Sequence, residues 1–171
     1  QWLFDKNRDI KQCITISGPF GSFYLREKNS PIICIAGGSG LAPIKSLLEG
    51  GVLDQVKRDV VFLFGARTQD DLYCMKELED IKQKWNKEHK FEFIPVLNME
   101  PEDSNWKGGR GFVTDYFEEN YVKKNNVDIS NWQGYLCGPP PMVDAACQLL
   151  EKHGIKTDQI FYDKFTDSSN L

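Results

Sequence analysis

Apolar residues fall along this chain in short unbroken runs, and stretches of helical periodicity separate the runs. Pro31 to Ala36 (PIICIA) and Asp59 to Phe64 (DVVFLF) have the look of strands covered on both faces. Phe91 to Leu97, Gly134 to Cys137 and Gln159 to Tyr162 are further strand candidates. Between them the spacing predicts helices from Pro43 to about Leu53, from about Asp71 to Trp85, from Thr114 to Tyr121 and from Met142 to His153. Asn98 to Gly111 is crowded with turn formers and is expected to be loop. Strands alternating with helices predict an α/β domain, a doubly wound five-stranded parallel sheet with right-handed crossovers.

The residues ahead of Pro31 follow another rhythm. Gln12 to Ser17 (QCITIS) alternates as a half-buried strand does, Gly18-Pro19-Phe20-Gly21 reads as a turn, and Ser22 to Arg26 resumes an extended pattern. Two short strands do not make a domain. Residues 1–28 are therefore expected to be the tail of a domain that precedes residues 29–171.

Composition narrows the function classes. A net charge of −4 leaves no basic stripe for a nucleic-acid backbone. No apolar run approaches the roughly 20 residues needed to cross a bilayer. The five cysteines are widely spaced and form no C-x-x-C pair. That pattern suggests a reducing compartment, the cytoplasm, and no metal site within the chain.

In a doubly wound sheet the ligand site lies beyond the carboxyl ends of the strands, where the winding reverses. Three segments converge there. Gly37-Gly38-Ser39-Gly40-Leu41-Ala42-Pro43 follows the first strand, with glycines that allow close backbone approach and a helix start that favours a phosphate. Gly37, Gly38, Ser39, Gly40, Leu41 and Pro43 are the candidates, and a plain turn is the alternative. Pro43 occupies the place of a third glycine, so this is not the G-x-G-x-x-G fingerprint. Cys137-Gly138-Pro139-Pro140-Pro141-Met142 ends the fourth strand as a stiff wall. Met142 is expected to open the next helix and the Cys137 thiol to point into the crevice, the alternative being a buried structural cysteine. Gly65 to Tyr73 follows the second strand, where Asp70 and Asp71 can accept from ribose hydroxyls or Arg67 can hold a 2′-phosphate. Helix capping by Thr68 or Asp70 is compatible with either.

SGPFG, AGGSGLAP, FGARTQDDLY, the NW-x-G-x-x-G-F-V segment at Asn105 to Val113, and LCGPPPM occur in the order and spacing of the ferredoxin–NADP reductase superfamily. The chain particularly resembles the NADH-dependent reductase components of multicomponent oxygenases, such as those of phenol hydroxylase and methane monooxygenase. The resemblance implies that a nicotinamide lies between AGGSGLAP and CGPPPM, with Cys137 near its reactive carbon and Ser39 lining the same pocket. It implies that Gly138, Pro139, Pro140 and Met142 contact the cofactor, and that an aromatic of Ile160 to Phe165 shields a flavin. Phe165 is the first choice for the shield, with Phe161 and Tyr162 as alternatives, so Cys137 and Phe165 are the catalytic candidates. The implied activity is hydride delivery from NADH to FAD, feeding a [2Fe-2S] ferredoxin domain and an oxygenase. The family's Arg-x-Tyr-Ser flavin motif is absent from these residues. Two rival readings are the flavoprotein subunit of a sodium-translocating NADH:quinone reductase, which would bring a membrane partner, and a dinucleotide-sensing module without turnover.

Overall fold

The computed structural model describes residues 20–165 together with 13, 15, 17 and 18. Its chain order is β1 (Ile32–Gly37), α1 (Leu41–Leu53), β2 (Val60–Ala66), α2 (Met75–Lys84), β3 (Phe91–Leu97), β4 (Gly109–Arg110), α3 (Val113–Tyr116, continuing as a π-helix over Phe117–Lys123), β5 (Gln133–Gly138), α4 (Pro140–Lys152) and β6 (Ile160–Lys164). The strands form one parallel sheet in the order β4-β3-β2-β1-β5-β6. The doubly wound α/β reading holds with six strands instead of five. The extra one, β4, has two residues, Gly109 and Arg110, paired with Val96 and Leu97. A pair that short carries no apolar run, so it is hidden in a segment that reads as loop.

Alternation along the strands divides the core in two. Ile33, Ile35, Leu63 and Leu136 face one side, where α3 and α4 supply Val113, Phe117, Val143 and Leu150. Ile32, Cys34, Phe62, Phe64 and Tyr135 face the other, under Leu41, Ile44 and Leu48 of α1 and Leu78 of α2. All six residues of β1 are buried, as a central strand between two helix layers requires. Each such Ile, Leu or Phe contributes about 1.5–3 kcal/mol. The helices begin slightly ahead of their predicted starts at α1 and α4, so Met142 is the third residue of α4 and does not open it.

Residues 22–26 are not a strand, contrary to the alternation of their sequence. They are held by tertiary contacts instead. Phe23 and Leu25 pack on the core, the Arg26 amide donates to the Tyr135 hydroxyl at 2.8 Å, and the Arg26 guanidinium lies over the rings of Tyr24 and Phe161. Arg58, only 4% exposed, donates to the carbonyls of Ser30 and Arg26 and to Gln133 Oε1. The predicted strand over 12–17 lies largely outside the described residues. Among the described residues no helix is long and apolar enough to cross a membrane.

Candidate functional site

The winding reverses between β1 and β5, and both strands end on glycine. A Cβ on Gly37 would stand 2.5 Å from Met142 Sδ, and one on Gly138 would stand 2.8 Å from Met142 Cε and 2.9 Å from the Gly37 carbonyl. Bare backbone at both ends lets the strands close and lets Met142 fill the notch. The next residue, Gly38, has φ +53°, with nothing within 4 Å of where a side chain would begin. Gly40 returns to an ordinary φ of −64°. Its Cβ would overlap the Cys137 carbonyl and stand 2.6 Å from the Gly138 nitrogen. The glycine turn therefore crosses directly over the end of β5.

Beside this crossing opens a cavity of about 1130 Å³. Gly37, Gly38, Ser39, Arg67, Asp71, Pro139 and Met142 line it, as do Pro141 and Tyr73. Gly40, Leu41, Pro43, Gly138 and Pro140 do not, Gly40, Leu41 and Gly138 being buried behind the wall. Cys137 has no exposed surface and packs with Ala36, Leu41 and Tyr135. Its thiol lies under the crevice and does not open into it, because the crossing of Gly40 covers the end of β5. Burial, with Asp163 adding to it, pushes the Cys137 pKa up to about 12, so it stays a neutral thiol. Phe165 lies outside the cavity lining, 38% exposed, with its amide donating to the Gly138 carbonyl at 3.0 Å. Phe161 packs on Tyr135 at 5.1 Å between ring centroids, and Tyr162 is exposed.

The two helix starts at the crevice differ in kind. At α4, Pro139 is the N-cap and Pro140 and Pro141 have no amide hydrogen. The next two amides, of Met142 and Val143, donate to the Pro139 carbonyl at 3.0 and 3.1 Å. This first turn has no donor left for an anion, and it presents a flat apolar wall. The polar end belongs to the Gly38–Ser39 turn, with the positive end of the α1 dipole behind it.

A third wall comes from the loop after β2. Arg67 Nη2 and Asp71 Oδ1 pair at 2.8 Å, and Asp71 Oδ2 accepts from the Thr68 amide at 3.1 Å and its hydroxyl at 3.2 Å. The Arg67 guanidinium, reinforced by these bonds, holds the Asp71 carboxyl below the usual range. One carboxylate thus closes the capping box with Thr68 and lines the cavity. Asp70 does not line the cavity.

Sequence reasoning assigned no role to several lining residues. Asn98, Phe112, Thr114 and Asp115 enter from the loop after β3 and the start of α3. The signal was the NW-x-G-x-x-G-F-V segment, matched as a pattern without a function. Its geometry explains the pattern. Trp106 Nε1 donates to the Gly109 carbonyl at 2.9 Å, with the indole over Gly108, where a side chain would collide. Glu100 accepts from the Gln69 amide at 2.9 Å and from Gln69 Nε2 at 2.6 Å, so this loop braces the one after β2.

A family model of the oxidoreductase NAD-binding domain matches residues 34–148. The chain belongs to that family. It is 45% identical over 164 residues to the electron transfer component of xylene/toluene monooxygenase from Pseudomonas putida, covering 96% of this chain and 44% of that protein. It is 40% identical over 162 residues to the reductase component of propane 2-monooxygenase from Gordonia sp., covering 92% and 44%. The crystal structure of the Amycolatopsis cytochrome P450 reductase GcoB superposes with a TM-score of 0.73 at 32% identity, covering 88% and 43%. The chain spans less than half the length of each of these relatives. As an NAD-binding domain, it has a cavity that suits its family's ligand. Gly38 has open space where a side chain would begin, Asp71 and Asp115 put carboxylates on the cavity wall, and Pro139 and Met142 put apolar surface there.

Proposed function

We propose that this NAD-binding domain binds NADH across the β1/β5 switch point and holds the nicotinamide for delivery to FAD carried by a domain ahead of residue 29. A hydride from the bound NADH would reduce that flavin, and an iron–sulfur centre and an oxygenase would take the electrons onward. The carrying observation is the pairing of the open left-handed Gly38 turn with the donor-free proline wall across one crevice. The first suits a charged pyrophosphate and the second an uncharged ring. The names of the monooxygenase relatives support the oxygenase assignment. The chain's own residues bind, orient and exclude water, and none is needed as an acid or base. Calorimetric titration of the purified chain with NADH tests the reading. Saturable one-to-one binding is expected, and the chain alone should not pass electrons to a dye. A chain that ignores NADH overturns it.

NADH is preferred over NADPH in this reading. The charged residues lining the cavity are two carboxylates, Asp71 and Asp115, and one guanidinium, Arg67, already committed to Asp71 at 2.8 Å. A 2′-phosphate would meet net repulsion and no free clamp. NADPH should bind about tenfold more weakly, a difference of roughly 1.4 kcal/mol. Asp71→Asn releases Arg67 and should narrow that ratio, whereas tighter NADPH binding by the unaltered chain refutes the preference.

Cys137 is proposed to matter for hydride transfer more than for affinity. Its neutral side chain fills the floor beneath the turn, where lost volume would let the nicotinamide site settle. In the reductase containing this chain, Cys137→Ala should slow flavin reduction by about tenfold with nucleotide affinity nearly unchanged. Stopped-flow reduction by NADH reads it, and an unchanged rate makes Cys137 a packing residue only.

A further inference from the structure

We propose that Tyr73 is a positioning residue for the pyrophosphate, acting through the peptide that joins Gly38 to Ser39. This rests on the reading of the cavity as a dinucleotide site. Tyr73 stands at the cavity wall, 41% exposed, after the loop that follows β2. Its ring meets Phe64 edge-on at 5.8 Å, a contact phenylalanine would make equally well. The hydroxyl does something phenylalanine does not: it donates to the Gly38 carbonyl at 2.9 Å. That carbonyl also receives the Leu41 amide, which closes the turn into α1.

Two donors on one carbonyl fix the plane of its peptide. In a trans peptide the carbonyl and the following N–H point in opposite directions. Holding the Gly38 carbonyl toward Tyr73 therefore turns the Ser39 N–H the other way, and Ser39 is exposed. A left-handed glycine, with open space where a side chain would begin, has no side chain of its own to hold that orientation. Burial keeps the Tyr73 hydroxyl above its ordinary pKa, so it remains a donor throughout the neutral range.

The backbone turns sharply just after Tyr73. Cys74 takes φ +55° and ψ +22°, a left-handed conformation costly for a residue with a side chain, and it starts α2 without a side-chain cap. Serine, aspartate or asparagine would cap that helix at lower cost. The Tyr73 hydroxyl's bond to the Gly38 carbonyl ties the loop after β2 to the turn after β1.

The test uses the full chain and Tyr73→Phe, with ADP-ribose as the probe. Affinity for ADP-ribose should fall by about three- to tenfold, the range for one neutral hydrogen bond. Thermal stability should change little. Amide hydrogen exchange of the free protein should quicken over residues 38–41 and stay the same in β1, β2 and β5. Unchanged affinity overturns the proposal, and so does quickened exchange throughout the sheet, which would mark general loosening. If the unaltered chain binds neither NADH nor ADP-ribose, the nucleotide reading fails first. An unaltered chain that binds both, beside a variant that binds equally well, sinks the Tyr73 role alone.

Discussion

Gly40→Ala should unfold this domain at markedly lower temperature, whereas Gly38→Val, two residues away, should leave it folded and unable to hold its nucleotide. The two glycines are needed for opposite reasons. Gly40 has an ordinary φ, −64°, that any residue adopts, but its Cβ would be driven into the Cys137 carbonyl and the Gly138 amide. Those are backbone atoms at the end of a central strand, and no side-chain rotation relieves the overlap. Forcing α1 away from β5 costs about 3 kcal/mol or more, the upper part of the overpacking range. For a chain of this size that lowers the melting temperature by roughly 6–12 °C. Gly38 has the reverse situation, a left-handed φ with empty space around it. A β-branched residue there strains the turn and fills the space offered to the pyrophosphate. Thermal denaturation beside calorimetry separates the two. A Gly40→Ala protein that melts normally would mean the crossing over β5 is looser than described.

Arg58→Met should be the second large effect. The guanidinium satisfies two carbonyls and the Gln133 side chain at once, at 3.0 Å to Arg26 O and 2.7 Å to Gln133 Oε1. Methionine matches much of the volume, and replacing a buried charge by an apolar group is sometimes neutral. Here the acceptors remain after the donor is gone. Gln133 is 2% exposed, and its Oε1 would keep only the longer bond from the Tyr135 hydroxyl at 3.3 Å. Desolvated acceptors cost about 1–3 kcal/mol each, so a total loss of about 2–4 kcal/mol is expected even if water recovers one carbonyl. Urea denaturation gives the value. Arg58→Lys should recover only part of it, since one ammonium cannot reach three acceptors in a fork. Stability equal to that of the unaltered chain in Arg58→Met would remove the network from the account.

Elements that bury an unbroken apolar run were legible from sequence. β3 spans Phe91–Leu97 as its pattern predicted, and β1 and β2 are within two residues at each end. The glycine turn, the proline wall and the Arg67–Asp71 loop were found because each carries residues whose backbone behaviour is set locally. What the sequence concealed depends on contacts distant in the chain. β4 exists because Trp106 and Glu100 brace a turn-rich loop against the β2 side. Residues 22–26 alternate like a strand but pair with no strand among the described residues, and the Arg26 amide and carbonyl go to Tyr135 and Arg58. Asp115 and Tyr73 reach the cavity only after the sheet aligns the β2, β3 and β5 ends. The Cys137 thiol points under the crevice because a neighbouring loop crosses above it, which no spacing within CGPPPM reveals.

The Arg58 network also decides where this molecule can bend. The stretch from Phe23 to Ser30 would ordinarily count as a tether between folded bodies. Its carbonyls at 26 and 30 are instead fastened to a guanidinium rooted beside β2, and its amide at 26 to a hydroxyl rooted in β5. That stretch consequently travels with the sheet as part of one rigid object. Any pivoting against a body joined ahead of it must be taken up before Phe23, because turning later would strip an enclosed cation of its acceptors.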